Sequence, residues 1–232
     1  NGDLVRTYSL WSGSSSDYTL NMQAQLNYNR QFGSHDVGAM VLAQRDYSVP
    51  GDWRPHNVIG VATRFTYGYD SRYLLEFDLG YNGSEQFAPS HRFGTFPAFS
   101  AGWIISNEKF MASTKNWLDN LKVRGSWGRV GSDGYTGSSS RRFLYMDNIS
   151  FGTSQWVSGL GTGSVRSISI SKYANPNLKW EKTRTAEVGL DLGFLNNRFN
   201  LGMTYYNRLT MDKYSALSLP RTTGFSTVTY NN

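Results

Sequence analysis

The residues best placed to do chemistry in this sequence are carboxylates spaced two and four apart inside otherwise apolar runs. In YLLEFDLGY (73–81), Glu76 and Asp78 stand at i and i+2, and further on Glu187 and Asp191 stand at i and i+4. Residues two apart in a strand share a face and are separated by about 7 Å. Glu76 and Asp78 therefore fall within the roughly 5 to 9 Å window that glycoside hydrolysis asks of its two carboxyl groups. Glu187 and Asp191, about 13 Å apart, do not. The alternative is that these acids, with Arg64, line a wet wall and are held by neighbouring arginines. That reading is adopted, and no catalytic residue is proposed.

Other chemistries find less support. His35, His56 and His91 sit at unrelated spacings with no HExxH pair, which argues against a metal site. The absence of cysteine removes thiolate ligands and disulfides. GLGTG (159–163) lacks the Lys-Ser/Thr of a phosphate loop and reads as a loop tip, and no GxSxG elbow occurs. The sequons at Asn82 and Asn148 matter only in a pathway that glycosylates them. Net charge is +6, but Lys and Arg are dispersed, with Arg141 and Arg142 the densest pair, so nucleic acid is not an expected partner. No cofactor, no metal and no enzymatic activity are expected.

Composition indicates the elements that position these residues. Aromatic residues make up 15% of the chain, charged residues only 17%, and there are 24 glycines, a balance that leans towards strands. Mean hydropathy is −0.48 and no run approaches eighteen apolar residues. That argues against a spanning helix and leaves a spanning barrel open, whose signal per strand is weaker. The chain starts at Asn1 without a signal peptide, as expected of a mature protein or a fragment.

Alternation is extensive. Tyr18, Leu20, Met22, Ala24, Leu26 and Tyr28 alternate with polar residues; so do Ile59, Val61, Thr63, Phe65, Tyr67 and Tyr69, and Tyr73, Leu75, Phe77, Leu79 and Tyr81. Two later rows follow the same rule: Ala186, Val188, Leu190, Leu192 and Phe194, then Phe199, Leu201, Met203 and Tyr205. None of these apolar-row residues is charged, while Arg64, Glu76, Asp78, Glu187 and Asp191 lie on the opposite face. A lysine or arginine at mid-bilayer costs about 2–4 kcal/mol, reason enough for a lipid-facing row to exclude charge.

Length sharpens the choice. The row from Tyr18 to Tyr28 spans about 26 Å along a membrane normal at a tilt near 40°, which matches the apolar band of an outer-membrane barrel. Tyr73 and Tyr81 bracket a similar row. These four tyrosines are expected to form a lipid-facing girdle, with Arg64, Glu76, Asp78, Glu187 and Asp191 facing the lumen. A soluble sandwich would instead turn the apolar rows inward.

Eight strands are predicted, near 17–32, 37–45, 58–69, 73–82, 93–105, 121–130, 178–194 and 198–208. Short turns at 33–36, 70–72 and 195–198 interleave with long loops at 46–57, 82–92 and 131–177, the pattern of an outer-membrane barrel with its short side periplasmic. Residues 106–120 are predicted to hold a short helix starting near Ser106 as cap. The 131–177 loop far exceeds the usual connection and carries Tyr135, Arg141, Arg142, Phe143, Tyr145, Phe151, Trp156 and Tyr173. Rings can stack on sugars and arginines can pair with carboxylates. Trp53, Arg54, Tyr135, Arg141, Arg142 and Trp156 are the candidate contacts to substrate or to a covering partner. The bland alternative is that the rings pack on one another.

Several segments resemble the SusC/RagA family of TonB-dependent outer-membrane transporters: YDSRYLLEFDLGYNGSEQF (69–87), FPAFSAGWIISNEKFM (96–111), LKVRGSWGRVGSDG (121–134) and NPNLKWEKTRTAEVGLDLGFLNNRFNLGMTYYNRLTMD (175–212). They occur in the family's order and spacing, and the resemblance covers residues 58–232. It implies an all-β, transmembrane antiparallel β-barrel, of which this chain would be an internal segment of about eight strands out of 22. It also implies a plug domain and a TonB-box segment, neither visible here. Residues 1–232 are accordingly expected to be part of one TonB-dependent receptor β-barrel domain in the outer membrane of a Gram-negative bacterium, a multi-pass barrel. The implied function is active import of an oligosaccharide or oligopeptide. The implied partners are a SusD-like surface lipoprotein, the TonB complex through parts outside this chain, and outer-membrane lipid and lipopolysaccharide. Two rival readings stay open: a complete eight-stranded outer-membrane barrel with a structural or adhesin role, and a soluble carbohydrate-binding β-sandwich.

Overall fold

Long alternating rows become long strands. The computed structural model describes residues 16–49, 55–114, 116–134, 142–158, 161–196, 198–224 and 227–232. Its strands are β1 (Tyr18–Phe32), β2 (His35–Val49), β3 (His56–Tyr69), β4 (Tyr73–Ser84), β5 (Phe93–Ile104), β6 (Leu118–Ser132), β7 (Asn148–Ser158), β8 (Gly161–Lys172), β9 (Glu181–Phe194), β10 (Phe199–Met211), β11 (Tyr214–Ser218) and β12 (Thr227–Asn231). Eight of them form one antiparallel sheet in the order β1-β2-β3-β4-β5-β6-β9-β10, while β7-β8 and β11-β12 are separate hairpins.

Turn chemistry explains the tight connections. Gly33 takes φ +60° between β1 and β2, Asp70 and Ser71 take +50° and +51° between β3 and β4, and Leu195 and Asn196 take +55° and +58° between β9 and β10. Positive φ at consecutive positions matches the right-handed twist of the flanking strands. Register then fixes the faces. One ladder row runs Tyr28, Ala39, Phe65, Phe77, Phe99, Trp127, Ala186 and Asn207 across all eight strands. The neighbouring row, Asn27, Met40, Arg64, Asp78, Ala98, Gly128, Thr185 and Arg208, points the other way. All five apolar rows read from the sequence share the first face, and they are exposed there: Leu26 is 74% and Tyr205 75% accessible.

Residues 106–120 differ from expectation. They hold two 3₁₀ turns, Ile105–Asn107 and Lys109–Thr114, and Ser106 is buried inside the first rather than capping a helix. Pieces this short do not repay α-helix nucleation, and 3₁₀ turns are what such connectors adopt. The buried apolar cluster of Phe87, Phe96, Leu178 and Trp180 lies at the long-loop end, with Leu144 and Tyr214 packed against it.

The strand order corrects the central expectation. β1 and β10 occupy opposite edges of the eight-stranded sheet, so the sheet is open. A sheet with unpaired strand edges does not by itself close a span across hydrocarbon, because the edge N–H and C=O groups have no solvent there. The expected transmembrane antiparallel β-barrel is therefore replaced by an open all-β sheet with two hairpins. With closure go three further readings: an internal transmembrane barrel segment, import performed as a barrel, and a multi-pass barrel in the outer membrane. A complete eight-stranded barrel is corrected on the same ground. Among the described residues no helix is long and apolar enough to cross a membrane.

Candidate functional site

The polar face gathers the charges that the sequence placed there. Arg64 on β3 stands directly opposite Asp78 on β4. Its Nε lies 2.7 Å from Asp78 Oδ1 and 3.2 Å from Glu76 Oε1. Both members of the carboxylate pair thus share one guanidinium, Asp78 as acceptor of a charge-assisted hydrogen bond and Glu76 as an ion pair.

Further along, Arg124 on β6 stands opposite Gly189 on β9. A Cβ at Gly189 would come within 2.6 Å of the Arg124 guanidinium, so only glycine lets the arginine lie flat across the strand. From there Nε reaches Asp191 Oδ2 at 3.2 Å and the guanidinium donates to Thr204 Oγ1 on β10 at 2.7 Å. Between the two arginines lies a concavity of about 450 Å³, lined among others by Asp36, Thr66, Glu76, Lys122, Arg124 and Glu187. Both signs of charge and several hydroxyls face it. It offers hydrogen bonds to a polar solute or surface, and among the described residues no group of three His, Cys, Asp or Glu could hold a metal ion.

The loop end is tied together by polar contacts. Asp133, just past β6, receives Ser84 Oγ at 2.8 Å and lies 3.1 Å from His56 Nε2. Arg142 is 2% exposed and donates to Pro55 O, while the Phe143 N–H donates to Gln86 Oε1 at 3.2 Å. Burial pushes the Glu85 carboxyl up, an effect opposed by an Asn57 backbone N–H and by the charges of His56, Arg142 and Arg92. Burial also raises the Tyr214 phenol, with Glu181 and Asp133 adding to it.

At the turn end, Glu108 accepts from Tyr73 Oη at 2.8 Å and Trp103 Nε1 at 3.1 Å, and Arg72 lies 3.4 Å away. Those two hydrogen bonds, with the Arg72 charge, hold the Glu108 carboxyl below its ordinary range.

The residues singled out from sequence are distributed as follows. Arg64, Glu76 and Asp78 meet in one cluster, and Asp191 meets Arg124 with Glu187 lining the same concavity. Tyr18, Tyr28, Tyr73 and Tyr81 lie on the apolar face. There Tyr18 meets Tyr47 at 6.3 Å, Tyr73 stacks on Trp103 at 6.2 Å, and Tyr81 stacks on Phe93 at 5.2 Å. Arg142 is buried at the loop base. Trp53, Arg54, Tyr135 and Arg141 lie outside the described residues, as does the side chain of Trp156. Sequence reading missed Lys122, Arg124 and Glu108. The alternation of 121–130, with lysine and arginine in one frame and Val123 and Trp127 in the other, was the available signal for the first two.

Comparison with known proteins adds the decisive observation. All of residues 1–232 match the family described as TonB dependent receptor-like, beta-barrel. The chain belongs to that family. It is 30% identical, over 93% of its length, to the TonB-dependent receptor SusC of Bacteroides thetaiotaomicron, and 29% identical over 78% of its length to the TonB-dependent receptor P39 of Formosa agariphila. It covers 24% and 16% of those proteins, so it spans a quarter or less of their length. Its fold is shared with a RagAB peptide transporter structure at TM-score 0.76 and 21% identity, over 93% of this chain and 26% of that one. A siderophore receptor, PirA of Pseudomonas aeruginosa, superposes more loosely, at TM-score 0.54 and 11% identity over 94% of this chain and 38% of that one. The association with SusC implied by the sequence motifs is supported. The family takes its description from a barrel; this quarter-length chain is an open sheet.

Proposed function

We propose that this chain serves a non-catalytic, transport-related role in an outer-membrane-associated TonB-dependent receptor, its polar face turned to water and solute and its apolar face to lipid. The observation that carries the reading is the two-faced sheet: one register keeps every apolar row on one side and the Arg64 and Arg124 clusters on the other. A SusD-like lipoprotein over the long loops, the TonB complex acting through parts outside this chain, outer-membrane lipid and lipopolysaccharide, and an oligosaccharide or oligopeptide solute are the partners this reading takes. Residues 53, 54, 135, 141 and 156 remain the proposed loop contacts, whereas Arg142 is held inside the loop base.

The test places one arginine on each face of the full-length receptor. Leu190→Arg is expected to reduce recovery of the receptor from outer membranes, while Gln25→Arg leaves recovery unchanged. Equal recovery of the two would overturn the assignment of faces. Recovery of the wild-type receptor in a detergent-free soluble fraction would overturn membrane association and favour the soluble carbohydrate-binding reading.

A further inference from the structure

On the apolar face, where the sequence rows carry no charge, two arginines stand side by side at the long-loop end. Arg129 on β6 is the direct cross-strand partner of Arg184 on β9. Directly opposed residues of an antiparallel pair have Cβ atoms about 5 Å apart, and like charges there destabilise the pair. Arg129 lies over the Trp127 ring at 5.4 Å, which directs its guanidinium along the apolar surface. Lys182, two residues from Arg184 on the same face, is held 3.3 Å from Asp212, so its charge is paired and the rim's positive charge is that of the two arginines.

Below this rim, towards the turns, the face has a groove. Ala101 and Gly125 are paired and form its floor. Phe99, Trp127, Val188 and Tyr205 bound one part, about 410 Å³, and Tyr73, Trp103 and Val123 bound a second part, about 480 Å³, which shares the same floor. Gly125 lies four residues from Arg129 along β6, or about 13 Å. A paired cation at the rim and an apolar channel beneath it form an amphiphile's complement: an anion bridging two guanidiniums, with a hydrocarbon chain over the small-residue floor.

We propose that Arg129, Arg184 and the Ala101–Gly125 groove form a binding site for a membrane phospholipid of net negative headgroup charge. The phosphate bridges the two arginines and relieves their repulsion, and one acyl chain fills the groove. This site rests on the reading that the apolar face meets lipid. Free phosphate offers the same charge but has no chain for the groove, so the lipid is the ligand assigned.

Native mass spectrometry of the full-length receptor in detergent, titrated with phosphatidylglycerol, phosphatidylcholine or inorganic phosphate, tests it. The expected result is saturable binding of phosphatidylglycerol, at least tenfold weaker binding of phosphatidylcholine, and no displacement by millimolar inorganic phosphate. Arg129→Gln/Arg184→Gln should abolish the preference for phosphatidylglycerol. Gly125→Leu should weaken both lipids by blocking the groove. A Cβ at Gly125 meets nothing closer than the Glu187 carbonyl at 3.8 Å, so that variant is not expected to disturb the strand. Displacement by inorganic phosphate, preference unchanged in Arg129→Gln/Arg184→Gln, or affinity unchanged in Gly125→Leu would overturn the site. Recovery of each variant from outer membranes is measured in parallel. Normal recovery without lipid preference sinks the site alone, whereas wild-type receptor absent from membranes sinks the assignment of faces.

Discussion

Arg124 lies flat across Gly189, and from that position it joins three strands: its own β6, β9 through Asp191 at 3.2 Å, and β10 through Thr204 at 2.7 Å. The glycine and the arginine are one feature, since any side chain at 189 displaces the guanidinium. The ion pair is more than a third exposed on both sides, 38% and 35%, and pairs of that kind contribute about 0–1 kcal/mol. Arg124→Gln should therefore lower stability by no more than about 1 kcal/mol. Gly189→Ala should cost a similar amount, and the double variant no more than the larger single effect, because both remove the same contact. Thermal unfolding of the four proteins closes the cycle; additive losses would show that Gly189 serves some other purpose.

The loop end depends on packing instead. The Trp180 ring meets Phe87 tilted at 5.1 Å and Phe96 edge-on at 5.4 Å, and its Nε1–H donates to Arg92 O at 3.1 Å. Removing a large buried aromatic costs about 3–5 kcal/mol through lost transfer energy and a residual cavity. Trp180→Ala should destabilise the loop base by that order, seen as accelerated hydrogen exchange at 142–147 and 175–180. Amides in the β1–β2 hairpin, remote from the cluster, should exchange as before.

These two clusters also show what could be read in advance. The eight strands and their faces were legible because a period of two, sustained over ten residues, admits one register, and Glu76 with Asp78 could be assigned to the face of Arg64 from parity alone. Closure was not legible: whether β1 meets β10 is a relation between edges, and edges leave no mark on alternation. The β7-β8 hairpin inside the long loop was missed because its serine- and glycine-rich strands lack a continuous apolar row. Arg142 read as an exposed contact residue because burial of an arginine depends on acceptors such as Pro55 O, which no local pattern announces. Glu108 was passed over since its partners Tyr73 and Trp103 come from two other strands.

Glu85 gives the loop base a pH dependence of definite sign. Its folded carboxyl is pushed above the ordinary value of 4.5 by burial. The folded state therefore holds a proton that the unfolded chain releases. This contribution to stability is full below pH 4.5 and is lost as pH rises through the elevated folded value. Glu85→Gln should flatten that decline and make the protein relatively more stable at neutral pH. Melting temperatures of wild type and variant at about pH 4.5 and pH 7.5 decide it: a parallel shift at both would show that burial of the charge is fully offset by His56, Arg92 and Arg142.

Glu108 carries the opposite sign. Tyr73 and Trp103 donate to its carboxylate, Arg72 adds its charge, and the folded carboxyl is held below 4.5. The stabilisation is present above pH 4.5 and is lost as pH falls through the lower folded value, because protonation there weakens both hydrogen bonds and the ion pair. Glu108→Gln keeps an acceptor for Tyr73 Oη but has no charge to lose. Its melting temperature should sit below wild type at neutral pH and converge with it as acid is added. Tyr73→Phe removes one donor and should move the wild-type acid transition to higher pH, towards the ordinary carboxylate range. A Tyr73→Phe transition at the wild-type position would mean that Trp103 and Arg72 alone hold the carboxylate. That would leave the tyrosine's ring stack on Trp103, beside their pairing in the ladder, as what its side chain contributes between β4 and β5 at this end of the sheet.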